Sequence, residues 1–244
     1  MLTKRWYQEK YCLDRMVFSD LMWAYVTYPS IQLYFALLVG SIGLAFVIYP
    51  YAPVSEFRLL GSVVVTLLAY PFVEYTVHRF ILHGRYLYRS PWTAALWKRI
   101  HYDHHQDPND LSVLFGSATT TLPTIVVATV PIGLGLAGVA GVPLSFATGL
   151  ACFMVYELCH CMQHLRINPK SKFLRRIKHH HVLHHFHNEQ GNFGITSLIC
   201  DRLFGSLYSS GEKVPASETV SNLGYQAEER LQYPWVAELS GQKP

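Results

Sequence analysis

Long uncharged apolar runs dominate the hydropathy pattern of this chain. Residues 31–50 contain no Asp, Glu, Lys or Arg, and neither do residues 111–156. About 20 apolar residues cross a bilayer as a helix, so the second run has room for two crossings. A fourth stretch, 59–73, is short by itself but extends toward His78. Glycine and proline in GVAGVP, residues 138–143, mark a tight turn that splits the long run. The pattern predicts spans at 31–50, 57–77, 120–139 and 143–163, an all-α integral membrane fold of two hairpins. The prolines inside these spans are tolerated more readily than in soluble helices.

The polar positions orient the hairpins. Lys4, Arg5, Lys10 and Arg15 precede the first span; Arg79, Arg85, Arg89, Lys98 and Arg99 follow the second; Arg166, Lys170, Lys172, Arg175, Arg176 and Lys178 follow the fourth. The two connecting turns, near 51–56 and 139–142, carry no Lys or Arg. Basic residues gather on the cytosolic side, so both termini are expected there. The membrane would be the inner membrane of a bacterium or the endoplasmic reticulum of a eukaryote. Half of the 244 residues are apolar and 15% are charged, below the usual quarter, as lipid exposure requires. The net charge of +4 mostly reports the basic collars and calls for no nucleic acid. Residues 1–15 are too polar to hold the apolar core of a signal peptide. Cysteines on a cytosolic face are expected to stay reduced.

The candidate chemistry lies in 13 histidines, none before His78. They form four clusters: His78 and His83; His101, His104 and His105; His160 and His164; and a run from His179 to His187 that contains His181, His184 and His185. All fall at or beyond the cytosolic ends of the second and fourth predicted spans. Each hairpin is followed by a His pair, a helix start (Ser90-Pro91 or Asn168-Pro169, an N-cap and N1 signature) and an H-x2-H-H triplet. Residues three and four apart share a helix face, so each triplet should converge, as should His160 with His164. His78 and His83 do not fit. Five residues advance an α-helix by about 500°, leaving the rings roughly 140° apart. Either the helix loosens after Arg79 or the two rings reach different metals. Trp92, Leu96, Trp97 and Ile100 are expected to form one apolar flank of an interfacial helix. A basic His-rich surface could bind lipid headgroups, but four clusters at ligand spacing argue for metal. Ten imidazoles exceed one ion's needs; two ions with four to six ligands each would use them. Imidazole suits Zn, Cu, Fe and Ni. Cys159 and Cys161 flank His160 but point to different helix faces.

The segments EYTVHRFILH, HYDHH, YELCHCMQH and HHHVLHHFHNEQGNFGITSLICDRLFG, between Glu74 and Gly205, together resemble the membrane fatty acid hydroxylase/sterol desaturase superfamily. Within it the chain is most similar to the fatty acid 2-hydroxylases. The resemblance implies four spans with a cytosolic cap that holds two iron ions. It implies ten ligands: His78, His83, His101, His104, His105, His160, His164, His181, His184 and His185. His181 is preferred over His180 because only it completes the triplet; His179 and His187 stay outside. Zinc can replace iron in purified protein. Asn192 to Thr196 match the family's glycine-aromatic stretch and Asp201 its acidic residue; Cys200 stands where the family often has Trp. Glu74, Glu157 and Asp201 are the candidate catalytic or ligand-orienting acids. Asp103, Asp107 and Asp110 are expected to be solvated.

The implied reaction is O2-dependent hydroxylation of a long-chain acyl lipid, fatty acid or ceramide-like, at carbon 2. Eukaryotic relatives usually carry a fused cytochrome b5 domain with H-P-G-G, absent here, so electrons are expected from a separate cytochrome b5-like or ferredoxin-type donor. The expected organisation is an interfacial segment at 1–30, the hydroxylase domain at 31–208 and a polar tail at 209–244. Two alternatives share the superfamily: a sterol desaturase or methyl oxidase, which more often shows H-x3-H in the first cluster, and a carotenoid ring hydroxylase. A membrane metal transporter would place ligands near the bilayer midplane, and no His lies at mid-depth.

Overall fold

The computed structural model describes residues 12–210 and 213–242, so Lys4, Arg5 and Lys10 of the first basic collar lie outside the described residues. Ten α-helices follow in chain order, with no strand among the described residues and one isolated bridge between Cys12 and Asp110. Helices α1 (Phe18–Thr27) and α2 (Pro29–Ile48) lead into α3 (Glu56–Thr76), which continues as a π-helix over Val77–Leu82. Helix α4 (Pro91–Trp97) passes through a second π-helix (Lys98–Tyr102) into α5 (Asp103–Gln106). Helix α6 (Ala118–His164) is the longest; α7 (Lys172–Phe186) and three short helices complete the chain, α8 (Ile199–Leu203), α9 (Ala227–Gln232) and α10 (Trp235–Leu239).

Among the described residues, three helices are long and apolar enough to cross a membrane: Pro29–Ile48, Glu56–Leu82 and Ala118–His164. Their large apolar side chains, Phe35, Phe46, Phe57 and Leu68 among them, face outward. The third helix is interrupted. Ala137 and Gly138 leave helical geometry, Gly138 at φ +61°, a conformation that glycine adopts without penalty. The two arms then fold back on each other. A Cβ on Gly133 would lie 2.7 Å from the Gly141 carbonyl oxygen, and one on Gly141 2.6 Å from that of Gly133. Small residues at such a crossing let backbones approach closely. The expected turn in the long run is therefore present, and begins at Ala137, one residue before the first glycine of GVAGVP.

The chain divides into two units. One comprises 22–73 and 116–158; the other comprises 12–21, 74–115, 159–210 and 213–242. In the first, Tyr34 packs edge-on against Phe153 at 5.4 Å, and the Tyr25 hydroxyl donates to the Met154 carbonyl at 2.7 Å. In the second, Tyr88, Ala94, Trp97 and Tyr102 pack with Leu223, Tyr225, Val236 and Ala237. The segment expected to be only a polar tail thus supplies half of that core.

Three local expectations need correction. Trp97 does not share a flank with Trp92: it is buried, with Nε1 donating to the Leu82 carbonyl at 2.7 Å, while Trp92 is exposed. Helix α7 does not start at Asn168. Ser171 takes the N-cap, its hydroxyl accepting from the Leu174 amide, so the first turn forms three residues later. Asp110 is buried rather than solvated, because it caps the short turn at Leu111–Val113 by accepting the Ser112 amide at 2.9 Å.

Candidate metal centre

The π-helix resolves the H-x4-H spacing. Its i→i+5 hydrogen bond, from the His83 amide to the His78 carbonyl at 3.1 Å, widens the turn so that residues five apart align. The two Nε2 atoms then stand 3.2 Å apart. The helix loosens, one of the two outcomes anticipated, and both rings enter the same group. The second π-helix sets His101 beside them, its Nε2 2.8 Å from that of His83.

All ten histidines expected to be ligands come together. His78, His83, His101 and His105 form one group whose candidate ligand atoms lie within 4.8 Å of one another. His104, His160, His164, His181 and His185 form a second, and His105, His184 and His185 a third that links them. The triplets therefore do not each converge on one point. His104 turns toward His160 and His164, with ring centroids 4.7 and 4.8 Å away, while its neighbours His101 and His105 face His83. On α7, His181 and His185 join the second group, and His184 stands edge-on to His78 and His83, with ring centroids 4.9 and 4.7 Å away. His180 points elsewhere, to the Arg176 carbonyl and the Ser209 hydroxyl. His179 faces the Ser209 carbonyl and His187 the Val214 carbonyl. Neither Cys159 nor Cys161 joins any of these groups.

The donor set fits metal ions. Both ring nitrogens of His104 and His185, Nε2 of His105 and His184, and Nδ1 of His181 are buried without a hydrogen-bond partner. Such atoms are costly unless something else binds them. Two nitrogens bound to one ion at about 2.1 Å stand roughly 3.0–3.4 Å apart, close to the 2.8–3.2 Å seen here. Burial, and then neighbouring imidazoles, hold His83, His101, His104, His181, His184 and His185 well below the ordinary 6.5. His105 falls to about 3, lowered by burial against the opposing effect of the Val220 carbonyl. These rings are neutral at pH 7 and offer lone pairs.

Backbone carbonyls orient three of them. Nδ1 of His78 meets the Phe193 carbonyl at 2.5 Å, that of His105 the Val220 carbonyl at 2.9 Å, and that of His184 the Gly191 carbonyl at 2.8 Å. A carbonyl only accepts, so each Nδ1 carries the proton and Nε2 keeps its lone pair. Residues 191–196 are in turn held by acids. Asp201 accepts the Phe193 and Gly194 amides at 2.9 and 2.7 Å and the Ser206 hydroxyl at 2.7 Å. Glu74 accepts the Ile195 and Thr196 amides at 2.5 and 2.9 Å, and the Thr196 hydroxyl. Gly194 admits no side chain, since a Cβ would sit 2.9 Å from Asp201 Oδ2. Buried Gln163 donates to the Ile195 carbonyl at 2.8 Å. Glu157 lies in the other unit, where its Oε1 accepts the Gly116 amide at 2.9 Å. Gln163 and the three orienting carbonyls were not anticipated. The carbonyls have no side-chain signature, and only the placement of Gln163 between His160 and His164 hinted at its role.

Comparison with known proteins accords with this arrangement. A family profile described as Fatty acid hydroxylase matches residues 63–206. Fatty acid 2-hydroxylase of Rattus norvegicus is 33% identical over 138 residues, which cover 55% of this chain and 36% of that protein. Dihydroceramide fatty acyl 2-hydroxylase FAH1 of Arabidopsis thaliana is 29% identical over 146 residues, covering 59% of each. The chain thus spans less than two thirds of the length of these relatives. A solved structure of full-length Scs7p, in which only the hydroxylase domain is visible, shares the fold with a TM-score of 0.60 and 24% identity, over 76% of this chain and 69% of that one. The profile covers more than half of the sequence, and the chain belongs to the fatty acid hydroxylase family.

Proposed function

We propose that this chain is a membrane-bound, O2-dependent hydroxylase of a long-chain acyl lipid, acting at carbon 2. The observation that carries the reading is the pair of buried, mutually close imidazole groups on the two π-helices, α5, α6 and α7. His78, His83, His101 and His105 would hold one iron and His104, His160, His164, His181 and His185 the other, with His184 beside both groups. Iron, when bound, supplies O2 activation and the removal of hydrogen from an unactivated C–H bond. The protein's part is positioning. Phe193, Val220 and Gly191 fix the tautomer of three ligands, and Asp201 and Glu74 brace the segment that presents two of those carbonyls. Burial keeps water away from the rings. The names of the relatives, fatty acid and dihydroceramide fatty acyl 2-hydroxylases, support an acyl substrate and carbon 2.

The two arms of α6 support four crossings, and the basic residues that flank the spans support termini and histidine-bearing segments on the cytosolic side. Reducing equivalents would come from a donor outside these 244 residues, cytochrome b5-like or ferredoxin-type. Lipid mass spectrometry on cells with and without the expressed chain tests the reaction. The expected result is a new acyl lipid heavier by one oxygen, lost in a His101→Ala variant. Loss of two hydrogens instead would make the chain a desaturase, and a changed sterol or carotenoid with unaltered acyl lipids would overturn the substrate class.

A further inference from the structure

Of the ten histidines, His83 alone is only partly buried. It borders a cavity of about 330 Å³ that Arg79, Arg85 and Glu189 line together with Phe80 and Phe193. Helix and loop hold these charges in place. The Arg79 guanidinium donates to the Tyr75 hydroxyl and lies over the Tyr75, Phe80 and Phe193 rings, 5.1–5.6 Å from their centres. Arg85 packs on Gly224, where a Cβ would meet its Nε at 2.6 Å. Glu189 is only 3% exposed. Its Oε1 accepts the Thr219 hydroxyl at 2.6 Å, but its Oε2 is buried with no hydrogen-bond partner. An acyl tail has nothing to offer such a lining, since desolvating charges against methylenes is unfavourable. A polar group fits it. The arginines require an acceptor, and Glu189 Oε2 requires a donor.

We propose that this cavity receives the polar end of the lipid, and that Glu189 selects headgroups that carry an N–H or O–H donor beside the acyl carbonyl. The inference rests on the lipid-hydroxylase reading above. The carbonyl oxygen accepts from Arg79 or Arg85, and the donor satisfies Glu189. A free carboxylate lacks that donor and sets a like charge against Glu189. With the headgroup held beside His83, the first acyl carbons are those nearest the metal group.

The test is equilibrium binding to the full-length, metal-loaded protein in detergent micelles, without reductant. Four probes of one chain length are compared: free fatty acid, methyl ester, N-methyl amide and monoacylglycerol. The amide or the monoacylglycerol is expected to bind about tenfold tighter than the ester and the acid, the effect of one charge-assisted hydrogen bond. Whichever of the two binds tighter identifies the donor as N–H or O–H. Glu189→Gln keeps the oxygen that accepts from Thr219 and turns Oε2 into a donor, so the preference should shift at least tenfold toward the free acid. Equal binding of ester and amide by the wild type, or a ranking unchanged in Glu189→Gln, overturns the inference. If Glu189→Gln fails to fold, the wild-type ranking decides alone. Because no turnover is read, a preserved ranking without hydroxylation counts against the reaction, and a lost ranking with hydroxylation intact counts against Glu189.

Discussion

A neutral imidazole has one lone pair to give, and which nitrogen gives it depends on what holds the other. Here the holders are carbonyls at Phe193, Val220 and Gly191, and no side-chain pattern announces a carbonyl. The histidines themselves were legible because imidazoles three, four and five apart, repeated in four clusters, have few structural uses. His180 and His181 were separable by spacing alone, and the structure turns His181 toward His164, Nε2 to Nε2 at 2.9 Å, and His180 toward Ser209. His181→Ala should lower metal affinity by tenfold or more, while His180→Ala keeps two ions per chain, as read by elemental analysis of the purified proteins. Loss of metal in His180→Ala with retention in His181→Ala would mean the register is wrong.

Two π-helices set the geometry of the elements. The first, Val77–Leu82, aligns His78 with His83; the second, Lys98–Tyr102, lets one short segment serve both groups, His101 and His105 on one side and His104 on the other. Spacing read on an ideal α-helix could pose the first problem but not answer it, and it missed the second. A wide turn has no composition of its own; tertiary packing selects it. An Ala inserted between Arg79 and Phe80 rotates His83 by about 100° about the helix axis. It should cut metal content from two ions to about one per chain, because the group built on His104, His160, His164, His181 and His185 does not use His83. Two ions retained would contradict the role assigned to that turn. The segment after residue 213 was unreadable for another reason. Its core contributions, Leu223, Tyr225, Val236 and Ala237, are spread over turns and short helices without a period.

At the scale of the whole molecule, apolar helices and a dense set of buried neutral histidines have consequences for topology and pH. The four crossings proposed for this chain would put Ser55 and Ser210 on opposite sides of the membrane; single-cysteine variants there should react with an impermeant reagent from opposite faces, and labelling from one face would sink the topology. For pH, the unfolded chain protonates its imidazoles near 6.5, whereas folded His105 does so only near 3 and the other buried rings are also held well below 6.5. The unfolded state therefore binds more protons throughout that window, and stability rises with pH across it. Metal-free protein in detergent should keep a constant melting temperature above pH 6.5 and lose stability progressively from 6.5 toward 3; a flat profile there would mean the rings are not buried neutral. The helices and their turn were legible from uncharged runs and GVAGVP because a helix in lipid excludes charge along its length, whereas the pairing of histidines into two groups needed the folded chain. The central claim is that this histidine assembly puts one atom of O2 onto an acyl lipid. It is tested most directly by supplying iron-loaded protein, a reductant and acyl lipid with isotopically heavy O2 in ordinary water, and weighing the product. One heavy oxygen atom per hydroxylated lipid, absent in His101→Ala, is the predicted result; a product carrying oxygen from water, or formed equally well without O2, would contradict it.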